Sequence, residues 1–323
     1  MTAGSPTLTV VVPVFNEQES LPEFHRRLSA VLDELPFASE ILLVDDGSRD
    51  GSRALLAGMQ AGDARVRVIS LSRNFGHQIA VSAGLDEARG EAVVVIDSDL
   101  QDPPELIPAL VDKWREGYEI VHAVRTARRG ETRFKRWTAS AFYRLIRSWT
   151  DLNIQLDAGD FRLMGRQAVD ALRSMPEQFR FVRGMTAWVG FDQTGVPYER
   201  DSRYAGDSKY PLRRMVRLAV TAITSFSFVP LQLASVFGFI VSGLAAIAVP
   251  IVVALRLLGA EGLGGQTTVL LAVLFFGGVQ LLFLGVLGEY LGRISVEVKR
   301  RPLYFVDRSE HLAAPRADDT SDT

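Results

Sequence analysis

Asp97 and Asp99 stand one residue apart, and Gln101 follows two residues later, within Asp97-Ser98-Asp99-Leu100-Gln101-Asp102-Pro103-Pro104. Two carboxylates and an amide oxygen at this spacing form a set of hard oxygen donors. Such a set suits a divalent cation that also binds substrate phosphates. Turn and helix-capping chemistry accounts for the same residue types without a ligand. The preceding run, Ala92-Val93-Val94-Val95-Ile96, is short, apolar and β-branched, and reads as a buried parallel strand. Both carboxylates therefore leave a strand at its C-terminal end, where open α/β sheets bind ligands. Pro103-Pro104 then opens a helix.

Two further strand ends carry similar chemistry. The first strand runs into Pro13-Val14-Phe15-Asn16-Glu17, and the second into Asp45-Asp46-Gly47-Ser48. Each is ordinary alone, because Asp-Gly supplies turn chemistry. Three polar strand ends in one sheet point to a phosphate site assisted by a metal ion. Neither GxGxxG after the first strand nor GxxxxGK[ST] occurs, which disfavours a dinucleotide oxidoreductase and a P-loop ATPase.

The elements that position these residues alternate. Short apolar runs at Leu8–Val14, Glu40–Val44, Val66–Leu71, Ala92–Ile96 and Glu119–Val124 read as strands. Amphipathic runs at about 18–34, 51–61, 77–89 and 104–116 read as helices between them. That alternation implies an α/β fold, a mostly parallel sheet with helices on both faces.

The 323 residues fit one large or two modest domains. The net charge of -2 gives no reason to expect nucleic acid as a partner. The absence of cysteine excludes disulfides and thiolate metal sites. The first nine residues have neither the basic nor the apolar region of a cleaved signal peptide.

Beyond residue 125 the chain changes character. Arg133, Arg136, Arg144 and Arg147 share one side of a helix over about 131–149, with Phe134, Trp137, Ala141, Leu145 and Trp149 on the neighbouring face. That pattern fits a helix lying on an anionic membrane surface, or a surface helix packed on the core. A second amphipathic segment, about 211–230, leads into two long apolar spans, about 231–258 and 267–288. Each exceeds the roughly 20 residues that cross a hydrocarbon core. The intervening loop has no Lys or Arg, whereas Arg213, Arg214 and Arg217 precede the pair and Arg293, Lys299, Arg300 and Arg301 follow it. The positive-inside rule then puts both flanks and both termini in the cytosol. The organisation expected is a catalytic domain over 1–210, a juxtamembrane helix over 211–230, a two-helix membrane domain over 231–292 and a polar tail over 293–323.

Val12-Pro13-Val14-Phe15-Asn16-Glu17, Asp45-Asp46-Gly47-Ser48, Leu71-Ser72-Arg73-Asn74-Phe75-Gly76 and Asp97-Ser98-Asp99-Leu100-Gln101-Asp102-Pro103-Pro104-Glu105 resemble family 2 glycosyltransferases of the GT-A fold. Gly159-Asp160-Phe161-Arg162 and Arg203…Ser208-Lys209-Tyr210 are similar to the polyprenyl-phosphate members of that family. These include dolichol-phosphate mannose synthases and bactoprenol glucosyltransferases. The segment Leu287-Gly288-Glu289-Tyr290-Leu291-Gly292-Arg293 resembles the bactoprenol branch most.

The resemblance implies transfer of a sugar, with inversion, from a nucleotide-sugar to polyprenyl (undecaprenyl) phosphate at the cytosolic face of the plasma membrane. UDP-glucose is the first choice of donor and GDP-mannose the second. Pro13, Phe15, Glu17 and Asp46 would line the nucleotide pocket, and Asp97 would face the donor. Asp99 and Gln101 would hold Mg²⁺ or Mn²⁺. Arg125, Arg203, Ser208 and Lys209 would bind donor or acceptor phosphates, and Asp160 holds the position of the catalytic base. Phe15 stands where many relatives carry Tyr, so no hydroxyl is available there. A homo-oligomer, such as a tetramer, and a separate flippase are further implications. A processive synthase, which usually carries Q-x-x-R-W, would have Gln where this chain has Arg133. A non-catalytic, membrane-anchored nucleotide-sugar binding protein is the alternative from another class.

Overall fold

The computed structural model describes residues 7–125, 158–199, 229–258 and 266–307. The helix expected over 131–149, the segment 211–228, and the candidate residues Arg203, Ser208 and Lys209 lie outside them. The chain divides into two units, one of residues 1–147, 152–211 and 302–323 and another of residues 148–151 and 212–301.

The first unit holds a seven-stranded sheet in the order β3-β2-β1-β4-β6-β5-β7. Its strands are β1 (Leu8–Val14), β2 (Ser39–Asp45), β3 (Val66–Ser70), β4 (Ala92–Val95), β5 (Ile120–Arg125), β6 (Ala158–Gly165) and β7 (Gln193–Tyr198). Every residue of β1 is buried, as expected of a central strand covered on both faces. Among the described strands, only β6 runs against its neighbours, antiparallel to both β4 and β5. The result is the GT-A-like mixed sheet that the resemblance implied. The sequence reading extends the sheet only to residue 124, and the structure adds β6 and β7.

Helices α1 (Leu21–Asp33), α2 (Ser52–Gly62), α3 (His77–Glu87) and α4 (Ile107–Arg115) connect the parallel strands. On α1, Leu21, Phe24, Leu28, Val31 and Leu32 recur at helical spacing and face the core. The run expected as one helix over 104–116 begins as a 3₁₀ turn at Pro104–Leu106. Pro108 has no N–H for the carbonyl of Pro104, so the first turn closes instead on the Ile107 N–H. After β6 come α5 (Arg166–Ser174) and α6 (Val182–Trp188).

Two contacts fix the parts of this unit that matter for a site. Gly84 brings α3 against β1, and a Cβ there would collide with Val11 Cγ1. At the far end of the chain, Val306 forms an antiparallel bridge with Leu71. Ser72 donates to the Phe305 carbonyl at 2.9 Å, Asp307 donates to the Ser70 carbonyl at 2.7 Å, and the Tyr304 hydroxyl meets Asp86 at 3.2 Å. Residues 304–307 thus cover the outer edge of β3 and hold the start of the 72–76 loop.

The second unit contains α7 (Val229–Leu257) and α8 (Gln266–Val298). Both are long and apolar enough to cross a membrane, with candidate spans at Leu231–Ala248 and Phe275–Val298. Large apolar side chains such as Phe239 and Leu282 are exposed on them, a surface that suits lipid better than water. Phe237 and Phe283 bring the two helices together, with ring centroids 5.7 Å apart.

Gly84→Ala should lower the stability of the first unit by about 1–3 kcal/mol through overpacking, read from the denaturant midpoint. Adding Val11→Ala should recover part of that loss. Asp307→Pro removes one of the two edge hydrogen bonds and should accelerate hydrogen exchange at the Ser72 amide, while exchange in β1 stays unchanged.

Candidate active site

β1 lies between β2 and β4, so the connections diverge at its C-terminal end and open a crevice. Pairing of β1 with β4 stops at Val11–Val95. Pro13, buried in β1, would donate next toward β4 but has no N–H, so the two strands part there.

Two of the three polar strand ends brace the loops around this crevice. Asp45 is fully buried. It accepts from the Ser48 N–H at 2.9 Å and from Arg53 Nε at 2.9 Å. Asp46 accepts from the Phe75 N–H at 2.7 Å and from the Gly76 N–H at 2.9 Å, one on each carboxylate oxygen. Burial raises the Asp46 pKa, and the two N–H groups oppose that rise. Gly47 makes the junction possible. Its φ is +70°, and a Cβ there would sit 2.6 Å from backbone atoms of Arg73 and Asn74. Glu17 donates its N–H to Ser52 at 2.9 Å, and its carboxylate accepts from the Ser20 hydroxyl at 2.8 Å. Phe15, at the end of β1, is 42% exposed beside these braces.

The third strand end differs. Asp97 and Asp99 follow β4, and Gln101 donates its N–H to Asp99 Oδ1 at 3.1 Å. Between them Leu100 adopts φ +59° while only 3% exposed, packed into the hydrophobic core. A left-handed leucine costs about 1–2 kcal/mol, and burial of its side chain holds the turn in place. Asp97 Oδ1 is buried with no hydrogen-bond partner among the described residues.

The reversed strand supplies the residue opposite. Val95 pairs with Arg162, and the same register continued two residues sets Asp160 across from Asp97. Asp160 is held on all sides. Oδ2 meets His77 Nε2 at 3.2 Å and accepts from Gln78 Nε2 at 3.3 Å, while Oδ1 meets Arg183 at 3.3 Å and Arg162 at 3.5 Å. Burial alone would raise its pKa. The His77 hydrogen bond and the charges of Arg183 and Arg162 outweigh burial and hold Asp160 well below the usual carboxylate range.

His77 also lies 3.7 Å from Asp97 Oδ1. It opens α3, where the helix dipole disfavours a cation. Burial disfavours the charged ring as well, yet the Asp160 hydrogen bond and the charges of Asp97, Asp160 and Asp46 raise its pKa to about 9. Burial pushes Asp97 up to about 6, with His77 opposing and Asp160, Asp99 and Asp102 adding to the rise.

Arg125, expected at a phosphate, is engaged elsewhere in this structure. Its Nε donates to the Tyr198 hydroxyl at 3.1 Å, and its NH2 lies 3.5 Å from buried Asp102. Tyr198 in turn donates to Asp102. Gly159 leaves room for this guanidinium, since a Cβ would lie 2.5 Å from Arg125 NH2.

The crevice thus gathers Asp97, Asp99, Gln101, Asp160, His77, Gln78 and Arg183. Sequence reasoning passed over the last three. The Gly76-His77 junction, a glycine before a helix that starts on a polar pair, was the available signal. No group of three His, Asp or Glu side chains among the described residues forms a complete metal cage. The oxygen donors of Asp99 and Gln101 fit a hard cation that takes its remaining ligands from substrate phosphates.

A model of glycosyl transferase family 2 matches residues 9–173. The uncharacterized glycosyltransferase YkcC of Bacillus subtilis is 50% identical over 301 residues, 93% of each chain. The bactoprenol glucosyl transferase of Shigella phage SfII is 40% identical over 302 residues, 94% of this chain and 98% of that one. A prophage bactoprenol glucosyl transferase homolog of Escherichia coli is 38% identical over 301 residues, with 93% and 98% covered.

A raised pKa means that the charged His77 stabilises the folded state below its unfolded value, near 6.5, and that this contribution is lost as pH rises through about 9. The stability difference between the unaltered protein and His77→Gln should therefore be largest below pH 6.5 and shrink between pH 6.5 and 9. Denaturant melts across that range measure it, and the imidazole NMR signal of His77 should titrate near pH 9.

Proposed function

The chain belongs to glycosyl transferase family 2, and on that premise we propose that it moves glucose from UDP-glucose to undecaprenyl phosphate, with inversion at the anomeric carbon. The observation that carries this reading is a carboxylate crevice at the switch point of the sheet, in a chain that also bears two membrane-length apolar helices. Relatives named as bactoprenol glucosyl transferases match over nearly their whole length, apolar helices included, which supports a lipid-borne acceptor and a glucosyl donor.

An oxygen of the acceptor phosphate forms the new bond to the sugar carbon. The bond from that carbon to the donor diphosphate breaks, and its electron pair leaves with the nucleoside diphosphate. Asp99 and Gln101 would hold Mg²⁺ or Mn²⁺, which when bound supplies electrostatic stabilisation of the departing diphosphate. Phe15, beside the Glu17 and Asp46 braces, offers an aromatic face to the nucleotide. Asp97 takes hydroxyl groups of the donor. Arg203, Ser208 and Lys209 contribute to phosphate binding.

Asp160 acts in this reading by position and charge. A phosphate monoester has its second pKa near 6, so the acceptor carries no proton that must be removed at neutral pH. A carboxylate held far below its usual range by three cations is also a weak base. The basic residues flanking the apolar helices support a topology with the catalytic unit and both termini on the cytosolic side.

The test is a panel of labelled UDP- and GDP-sugars, offered with Mg²⁺ or Mn²⁺ and undecaprenyl phosphate to the full chain in detergent. Lipid-extractable label should come from UDP-glucose and vanish with EDTA and in Asp99→Ala. Asp160→Asn should lose about 10²-fold or more in turnover while donor affinity stays within severalfold. Label from GDP-mannose alone would replace the donor assignment. Nucleotide binding with no lipid label from any donor would overturn the reading.

A further inference from the structure

Among the described residues three cations surround Asp160, and they differ in what else they touch. Arg162 is 1% exposed, with NH1 on the Thr186 hydroxyl at 2.7 Å and NH2 on the Gly159 carbonyl at 2.9 Å. Its guanidinium belongs to the core. Arg183, on α6, has a side chain 28% exposed and meets Asp160 on the same oxygen as Arg162, Oδ1. His77 approaches the other oxygen, Oδ2, and its side chain is 41% exposed, the most open of the three. It alone among them also faces Asp97, whose Oδ1 has no hydrogen-bond partner among the described residues.

We propose that His77 is a positioning residue for sugar transfer, spanning Asp97 and Asp160 so that both keep their orientation and a phosphate anion can approach them. The proposal rests on the transfer reading given above.

Electrostatics supplies the argument. Asp46, Asp97 and Asp160 all face the ring from three different elements, and Arg162 and Arg183 lie beyond Asp160. The reaction adds a donor diphosphate and an acceptor phosphate to this crevice. Each new anion is repelled by Asp97 and Asp160 unless a cation stands at the boundary with solvent. Among the described cations on Asp160, His77 is the most exposed.

The position of the ring is set by bracing already described. Asp46 grips the Phe75 and Gly76 N–H groups, Gly84 seats α3 on β1, and Gln78 leads from the same turn to Asp160 at 3.3 Å and to the Val182 N–H at 3.0 Å. His77 is thus a fixed group on a helix start. Its ring stands between Asp97 and Asp160 on the exposed side of the crevice, where an entering phosphate would meet it.

The experiment compares the full chain with His77→Gln, His77→Lys, Asp160→Asn and the double variant His77→Gln/Asp160→Asn. Donor is UDP-glucose, acceptor is undecaprenyl phosphate, and Mg²⁺ is present. His77→Gln should lower kcat by about 10²-fold, the size expected of a misplaced reacting geometry, with donor KM within about threefold. His77→Lys should recover about tenfold of that loss by restoring the charge. If His77 acts through Asp160, the double variant should be no slower than Asp160→Asn alone. Native turnover in His77→Gln would overturn the proposal. So would a rise in donor KM with kcat unchanged, or a loss that Lys does not rescue and that adds fully to Asp160→Asn. Thermal melts of each variant identify a folding failure, in which case His77→Asn replaces Gln in the same comparison. Absence of lipid label from the unaltered chain overturns the transfer reading itself, an outcome separate from the behaviour of the variants.

Discussion

Carboxylates that share a low-dielectric crevice repel one another, and each resists ionising unless a cation or hydrogen-bond donor stands beside it. The sheet of this protein creates that situation by topology. A reversed strand, β6, is inserted between β4 and β5, and its register sets Asp160 across from Asp97. Much of the surrounding structure answers the resulting charge. Arg162 enters the core along the same strand, two residues on, and is anchored by Thr186 and the Gly159 carbonyl. Burial and the neighbouring Arg183 lower its pKa to about 10, with Asp160 opposing them, so it remains a cation at neutral pH. His77 and Arg183 come from α3 and α6, so two helices besides the sheet converge on one side chain. Replacing Asp160 would leave a buried guanidinium without its carboxylate, which ties the packing of the unit to a carboxylate of its crevice.

A second group of polar residues sets positions. Asp45, Asp46, Glu17 and Asn16 hold the loops after β1 and β2 against each other and against the 72–76 loop. Asn16, for instance, accepts from the Arg49 N–H at 2.8 Å. These bonds are mostly to backbone, so they fix loop shape. The 72–76 loop is held twice, by Asp46 on the side of the crevice and by residues 305–307 at the edge of β3. The chain therefore returns, after its long apolar helices, to complete the sheet edge from which α3 and His77 start.

The parallel part of this fold was legible because parallel strands covered on both faces need nearly unbroken apolar runs. Leu8–Val14 and Ala92–Val95 have that form. β6 was not legible as a strand because it carries Gly159, Asp160 and Arg162 inside it, and the apolar residues that bury it are interleaved with charge. Arg162 reads as a surface residue until its partners are known. Asp97 and Asp99 stand out as candidates by residue type and by their place after an apolar run, whereas Asp160 stands out only through the family resemblance. The tasks of Asp46 and Arg125 could not be read in this way, because each depends on a partner remote in sequence, Phe75 and Gly76 for one and Asp102 and Tyr198 for the other. His77 escaped for the same reason: its partners lie 20 and 83 residues away in the chain.

On the proposed reaction, the protonation of the acceptor accounts for a site built in this way. An alcohol acceptor must lose a proton during attack, and a site for it needs a base whose pKa is matched to that task. A phosphate is already anionic near neutral pH, so the difficulty moves from removing a proton to admitting a charge. Asp160 is suited to the second task and poorly to the first. Its pKa is held far down by His77, Arg183 and Arg162, which leaves it ionised and committed to its partners. The same arrangement fixes those cations around the place where negative charge must enter, before any substrate arrives. Preorganised charge of this kind needs no rearrangement at the moment of reaction, which is the condition under which electrostatic stabilisation contributes most to rate.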